Sequence, residues 1–510
     1  MLPEAGLRHS ALLLGVAGAV EFCLQMVVPV ILVRCLDQTA FGQYRLLWLL
    51  ANTALAIAPA FMPQSLFYFL PRAKADSRGI VVGNVVLYCA VAGSLAGLFA
   101  SSWNPWMTDA ARHLFSQTQG LSSLFLGCWI VASVIDILPT AIGQTRWQAG
   151  AIIGFALLRT VLLVAAALFA PDILRVGIAM LCLALAKVVV LAWYLHRNRT
   201  IGRIDWQFAV MRSQLAYAAP FALGNAMYLL RAQGDQWIVI SMTTPALYAA
   251  FAVAAVVQPV ASLIRQPVVS AMMPHLNAAH SRGDTNEIAR LIAKGSGAAG
   301  MLLLPVTGAL LVASPTLVET LYTSRYAQAV PVMQIYLVGM AVTTIAVGHV
   351  LSAVGKGTFA AHSSFWCLLL SLFLSTAGLH FLGLQGAALG SVLTLVLSEL
   401  WALRTIAVAL GMPMRRLVAW QALLPTLAGT ACAISVTLAV AGRMQLDGIR
   451  LLLVDGVLYF LIFFVAFLFA GGRRQFDLVM GWRPKKNRCT GLTLSIELDC
   501  FRPPWHAHTK

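Results

Sequence analysis

Apolar residues in this chain come in long, nearly unbroken runs, neither alternating as in a half-buried strand nor striped as on a surface helix. A helix needs about 20 mainly apolar residues to cross a bilayer. Runs of that kind lie at roughly 9–33, 44–69, 80–102, 120–143, 148–170 and 172–196, then at 214–242, 246–270, 295–317, 330–353, 360–381 and 385–408. A last pair follows at 417–441 and 449–471. Strict period-two alternation is absent, which argues against a β-barrel. The pattern predicts an all-α polytopic membrane protein of about 14 transmembrane helices.

Composition agrees. The chain has 510 residues, 60% hydrophobic and 10% charged, where soluble domains carry about 25% charged residues. The formal charge of +17 is no nucleic-acid footprint, because most of it sits in short loops between the runs. Lys and Arg in such loops set orientation. One set of alternate loops holds Arg72, Lys74, Arg78, Arg146, Arg197, Arg199, Arg203, Arg212, Arg282, Arg290 and Lys294, and the opposite set far fewer. Both termini are therefore expected inside. The first run is too long for a cleavable signal and reads as the first span. Cysteines such as Cys23, Cys89, Cys128, Cys182 and Cys432 lie within apolar runs and form no CxxC pair, so they read as small buried hydrophobes.

The second and eighth runs repeat. Tyr44 and Pro63 recur as Tyr248 and Pro267, both 204 positions later. Six spans separate the copies, so both enter the membrane with the same polarity, as in a parallel repeat about an axis along the membrane normal. The expected units are a six-helix lobe over 1–200, a second over 201–410 and helices 13 and 14 over 411–472. A basic cytoplasmic tail over 473–510 is expected to be disordered. The tail's Cys489, Cys500, His506 and His508 match no zinc spacing, and no metal site is assigned.

Charges at membrane depth are expensive and mark pathways or paired interiors. Here they are Glu21, Asp136, Arg159, Lys187, Arg231, Asp235, Arg265, Glu399 and Asp455, with Arg45 near the mouth of the second span. Guanidinium offers fixed paired donors to phosphate oxygens. Arg159, Arg231, Lys187, Arg265 and Arg45 are therefore expected to line a cationic vestibule that fits a pyrophosphate headgroup. A plainer arrangement stands beside it. Arg231 can pair with Asp235 four residues on, Asp136 can neutralise Arg159 or Lys187, and Arg265 and Glu399 can snorkel to the inner surface. Glu21, Asp235, Asp136 and Glu399 are the candidate coupling or cavity acids. For Glu21, carrying a proton or Na⁺ and making a structural hydrogen bond are equally open.

The run Leu32-Val33-Arg34-Cys35-Leu36-Asp37-Gln38-Thr39-Ala40-Phe41-Gly42-Gln43-Tyr44 resembles the opening turn of bacterial polysaccharide exporters, in which an aromatic-Gly-x-Tyr enters the second span. Tyr217-Ala218-Ala219-Pro220-Phe221 with the later Asp235 is similar to their seventh span. The family is the Wzx-type oligosaccharide-lipid flippases of the multidrug/oligosaccharidyl-lipid/polysaccharide exporter superfamily. The resemblance covers roughly 10–470 and has no counterpart in the tail. It implies translocation of an undecaprenyl-pyrophosphate-linked oligosaccharide across a bacterial inner membrane, by alternating access between two six-helix lobes.

Two other functions are weighed against that one. A multidrug/cation antiporter needs an acidic cavity, and the buried acids here are about as numerous as the buried cations. A polysaccharide polymerase or ligase needs a large outer loop with catalytic Arg or His; the longest here holds only Arg112 and His113. There is no GxSxG, P-loop or HExxH, so no catalytic residue and no cofactor is assigned. The expected partners are a prenyl-pyrophosphate-linked glycan, membrane lipid and, alongside, a polysaccharide polymerase and chain-length regulator, with no nucleic acid.

Overall fold

The structure is a computed structural model that describes residues 4–169, 172–198, 201, 203–345, 347–348, 350–441 and 448–472. The basic tail lies outside the described residues. Among those described there is no strand. The helices are α1 (Glu4–Cys35), α2 (Gln38–Ile57), α3 (Met62–Phe69), α4 (Arg78–Phe99), α5 (Asp109–Gln117) and α6 (Leu121–Ala132). They continue with α7 (Leu138–Ala141), α8 (Thr145–Phe169), α9 (Ile173–Arg197), α10 (Phe208–Met242), α11 (Pro245–Ala254) and α12 (Gln258–Ser281). The last six are α13 (Thr285–Leu317), α14 (Ala329–Val342), α15 (Val350–Ala353), α16 (Gly357–Leu410), α17 (Trp420–Ala441) and α18 (Gly448–Phe469). The all-α polytopic class holds.

Fourteen crossings are not reached by length and apolarity alone. Ten helices among the described residues pass that test, or eleven when α2 and α3, bent by 43°, are taken as one broken span. The differences have physical causes. Over the expected seventh span lies α10, a helix of 35 residues diluted by Arg231, Gln233, Asp235 and Gln236. Over the tenth, the apolar helix is short, Ala329–Ile345. The eleventh and twelfth are the two arms of α16, which meet at a break at Gly383 (φ 64, ψ −147). Only glycine takes that backbone readily. The chain folds back there so tightly that a Cβ on Gly378 would sit 2.1 Å from the Gly386 carbonyl oxygen.

Helices α1, α4, α6, α8 and α9 pack on one another, and so do α10, α12, α13, α14 and α16; α17 and α18 pair and lean on α13. The two groups meet where α2 lies on α10 and α11, and where α3 lies on α10. The repeated tyrosines Tyr44 and Tyr248 are both buried in this junction. Gly42 makes the approach possible, since a Cβ there would lie 1.9 Å from the Pro245 carbonyl oxygen. Side chains close the end that carries Asp37: Arg34 donates to the Thr320 carbonyl, Gln38 to the Arg325 carbonyl at 2.7 Å, and Phe41 meets Tyr326 edge to face. Deeper in the junction Trp237 donates to Thr53 Oγ1 at 3.0 Å.

The stretch joining the two groups is docked rather than free. Gln207 N donates to Asn84 Oδ1 at 3.0 Å and Asn84 Nδ2 donates to the Gln207 carbonyl at 3.3 Å. Added Cβ atoms on Gly79 and Gly83 would fall 1.8 Å and 2.0 Å from the carbonyl oxygens of Arg203 and Asp205. The glycines of α4 thus form the groove in which this stretch lies. The cysteine expectation holds at Cys89, which is buried, while Cys23, Cys182 and Cys432 lie exposed on the bundle surface.

Candidate functional site

Between the two helix groups lies a cavity of about 1050 Å³, lined from α1, α2, α8, α10, α12, α14 and α16. Four arginines line it: Arg45, Arg159, Arg231 and Arg265. Glu399 is the only carboxylate in the lining. Gln25, Asn52 and Ser262 of the wall are exposed, so the space is reached from outside.

The arginines sit at staggered depths. At a rise of 1.5 Å per residue, Arg45 is ~10 Å below the start of α2. Arg159 is ~15 Å from the Phe169 end of α8, and Arg231 ~16 Å from the Met242 end of α10. Arg265 is ~30 Å along from Pro245. All four depths are counted from the end that carries Asp37. Arg159 is 9% exposed, and its Nη2 has no hydrogen-bond partner. Its guanidinium lies 5.8 Å from the centre of the Trp48 ring. Arg231 Nη1 donates to Ser398 Oγ at 3.0 Å, and Arg45 Nη2 to the Ala252 carbonyl at 3.3 Å. The ion pairs among the described residues are Arg112–Asp109, Lys187–Asp136 and Arg290–Glu287, so none of the four arginines is neutralised by a carboxylate.

The remaining predicted residues divide. Arg231 is not paired with Asp235. Asp235 is fully buried, and accepts a 2.6 Å hydrogen bond from the Tyr336 hydroxyl. It stands behind a wall made by Gln236, Tyr336 and Ser391. Glu399 Oε2 accepts from the Val347 backbone N–H at 2.9 Å. Glu21 is half-buried on α1 and does not line the cavity, although its neighbours Phe22 and Gln25 do. Lys187 and Asp136 are outside the lining and bound to each other, Lys187 Nζ lying 2.8 Å from both carboxylate oxygens. No group of three His, Cys, Asp or Glu among the described residues is placed to hold a metal.

One side of the cavity was not foreseen. Ser371, Ser391, Thr394 and Ser398 of α16 line it together with Tyr228 and Tyr336. Ser391, Thr394 and Ser398 recur at helical spacing and so share a face. That spacing was the available signal. Chemically, the site offers fixed cationic donors for phosphate oxygens and hydroxyl and amide groups for a polar, uncharged body.

The family model for polysaccharide biosynthesis proteins matches residues 90–331. A structure of the lipid II flippase MurJ in an inward closed conformation aligns over 92% of this chain and 100% of its own, with TM-score 0.67 and 12% identity. That likeness is one of fold. An inward-facing multidrug resistance MATE family transporter of the MOP superfamily aligns over 76% of this chain and 95% of its own, with TM-score 0.61 and 13% identity. A MOP superfamily transporter from Pyrococcus furiosus, described by the reverse polarity of its binding pocket, aligns over 80% and 96%, with TM-score 0.55 and 13% identity. No curated protein matches the sequence. The fold is thus common to a flippase and to a multidrug transporter.

Proposed function

We propose that the protein is a flippase that carries an undecaprenyl-pyrophosphate-linked oligosaccharide across the bacterial inner membrane, for O-antigen, exopolysaccharide or capsule synthesis. The observation that carries this reading is the unpaired arginine set: four guanidinium groups from both helix groups around one cavity, against one carboxylate. A dianionic headgroup repays the cost of holding such charges away from bulk water. The hydroxyl face of α16 takes the sugars, and the prenyl chain stays in lipid. Both termini are cytoplasmic, and the closed end at Asp37 faces outward. Helices 1–9 and 10–16 act as the two lobes. Transport breaks the Arg34, Gln38 and Phe41 contacts at the closed end and opens the cavity outward. We assign uptake of the coupling ion to Asp235, a fully buried carboxyl that accepts a hydrogen bond from Tyr336. Polymerase and chain-length regulator act on the delivered product.

A multidrug/cation antiporter shares the fold, but a wall of unpaired arginines repels a cationic drug. Translocation of a lipid-linked oligosaccharide in proteoliposomes tests the choice. Wild type moves it, and Arg159→Ala and Arg231→Ala each reduce the rate at least about tenfold, since a hydrogen bond to a charged group is worth about 1.5–3 kcal/mol. Wild-type rates in both variants would end the proposal.

A further inference from the structure

At the end of the molecule opposite Asp37, α4, α9, α10 and the stretch joining the last two share one buried cluster. Val81, Tyr194, Ala218 and Ile201 are among its members. The 203–207 strip leaves this cluster and lies over the start of α4. Helix α4 has 22 residues and α9 has 25, so they are ~33 Å and ~37 Å long. Bilayer hydrocarbon is about 30 Å thick. Both helices therefore reach past it at this end, and the strip lies where hydrocarbon gives way to lipid headgroups.

Its carbonyls meet the glycines of α4, while its large side chains stand clear of the protein. Trp206 and the adjoining Phe208 are 61% and 65% exposed. Trp193, one turn before the end of α9, is exposed too, with the Arg197 guanidinium 5.6 Å from its ring centre. Apolar surface left in water is unfavourable, whereas aromatic rings suit the headgroup level. The same ground is basic. Arg203 lies against Gly79, Arg78 precedes that glycine, and Lys74 is in the turn before it. Arg197 ends α9, and Arg212 shares a face of α10 with Phe208, four residues earlier. None of these five cations is in an ion pair among the described residues. Arg78 also keeps a buried Nε–H without a hydrogen-bond partner. The nearby acids are Asp76 and Asp205, and Asp205 Oδ1 accepts from the Trp206 N–H at 2.8 Å.

We infer that the strip and the basic groups around it form a docking surface for an anionic phospholipid. The lipid phosphate sits among Arg203, Arg212 and Arg78, and its acyl chains run beside Trp206 and Phe208. Guanidinium pairs well with phosphate oxygens, and clusters of four or more basic groups at a membrane surface attract anionic lipid. A zwitterionic lipid offers the rings the same apolar contact but no net negative charge, so the basic groups select against it. None of these residues lines the cavity, so the surface is separate from the substrate site.

Photocrosslinking of the full-length protein tests this, in nanodiscs of equal parts phosphatidylglycerol and phosphatidylcholine. The photoreactive residue p-benzoylphenylalanine replaces Trp206 or Phe208, and mass spectrometry identifies the lipid attached to each. The same residue in place of Leu95, exposed toward the other end of α4, gives the ratio set by bulk lipid. The expected result is an excess of phosphatidylglycerol adducts at 206 and 208, several-fold above the ratio at 95. Arg203→Ala with Arg212→Ala should remove that excess in protein that still elutes as a single species. A ratio at 206 and 208 equal to that at 95, or an excess that survives the double substitution, overturns the inference. So does the absence of any lipid adduct at both positions, as when another protein covers the strip. No lipid-linked glycan is needed, so this result and the flippase reading stand or fall separately.

Discussion

Lys187 Nζ lies 2.8 Å from both carboxylate oxygens of Asp136, with the Trp129 ring centre at 4.6 Å and that of Phe155 at 5.2 Å. The pair ties α9 to the turn before α7 and places neither charge in the cavity. Breaking a buried pair from one side costs about 3–5 kcal/mol. The Asp136 side chain is 46% exposed, which moves the cost to the low end. Lys187→Ala should therefore lower the thermal unfolding midpoint of the purified protein, and Lys187→Met with Asp136→Leu should recover most of the loss.

Of the four cavity arginines, Arg159 is the one with a buried donor that lacks a partner. Lysine keeps the charge but loses the planar pair of donors. Arg159→Lys should translocate lipid-linked oligosaccharide at a rate between those of wild type and Arg159→Ala, at normal abundance in the membrane. A rate for Arg159→Lys equal to that of Arg159→Ala would mean that donor geometry, not charge, decides.

Asp235 and Glu21 differ in setting, one sealed under the Tyr336 hydroxyl and the other half-buried outside the cavity lining. Asp235→Asn should remove the dependence of transport on pH or Na⁺, and Glu21→Gln should leave it intact. Transport rates across pH and Na⁺ gradients measure both, and the reverse pattern would move the coupling role to α1.

Gly42 touches the Pro245 backbone, which cannot swing aside as a side chain can. Gly42→Val should cost about 1–3 kcal/mol, the usual range for overpacking. It should also loosen the closed end of the junction. A cysteine placed at Gln38 should then react faster with a membrane-impermeant maleimide in the Gly42→Val background.

The apolar runs and the arginines of the cavity were legible because each is written in residue type and spacing alone. Arg45, Arg159, Arg231, Arg265 and Glu399 all reach the lining. The pairing of Lys187 was one of two alternatives, and spacing cannot choose between partners 51 positions apart. The α16 hydroxyl face went unread because serine and threonine in membrane helices commonly bond to their own backbone, as Thr394 does to the Gly390 carbonyl. The break at Gly383 falls between the runs 360–381 and 385–408, so its place was legible and its tight fold-back was not. Glycine is frequent in membrane helices, and only the backbone angles separate a fold-back from a packing notch.

The strip from Arg203 to Gln207, seated along the glycines of α4, bears on how the protein can be engineered. It is part of the first half's surface, and the start of α10 continues that contact, with Gln214 Nε2 donating to the Val81 carbonyl at 3.2 Å. A fluorescent reporter spliced into this strip would lift it off its bed and lengthen the coupling between the halves, so a probe of their motion belongs in another connection.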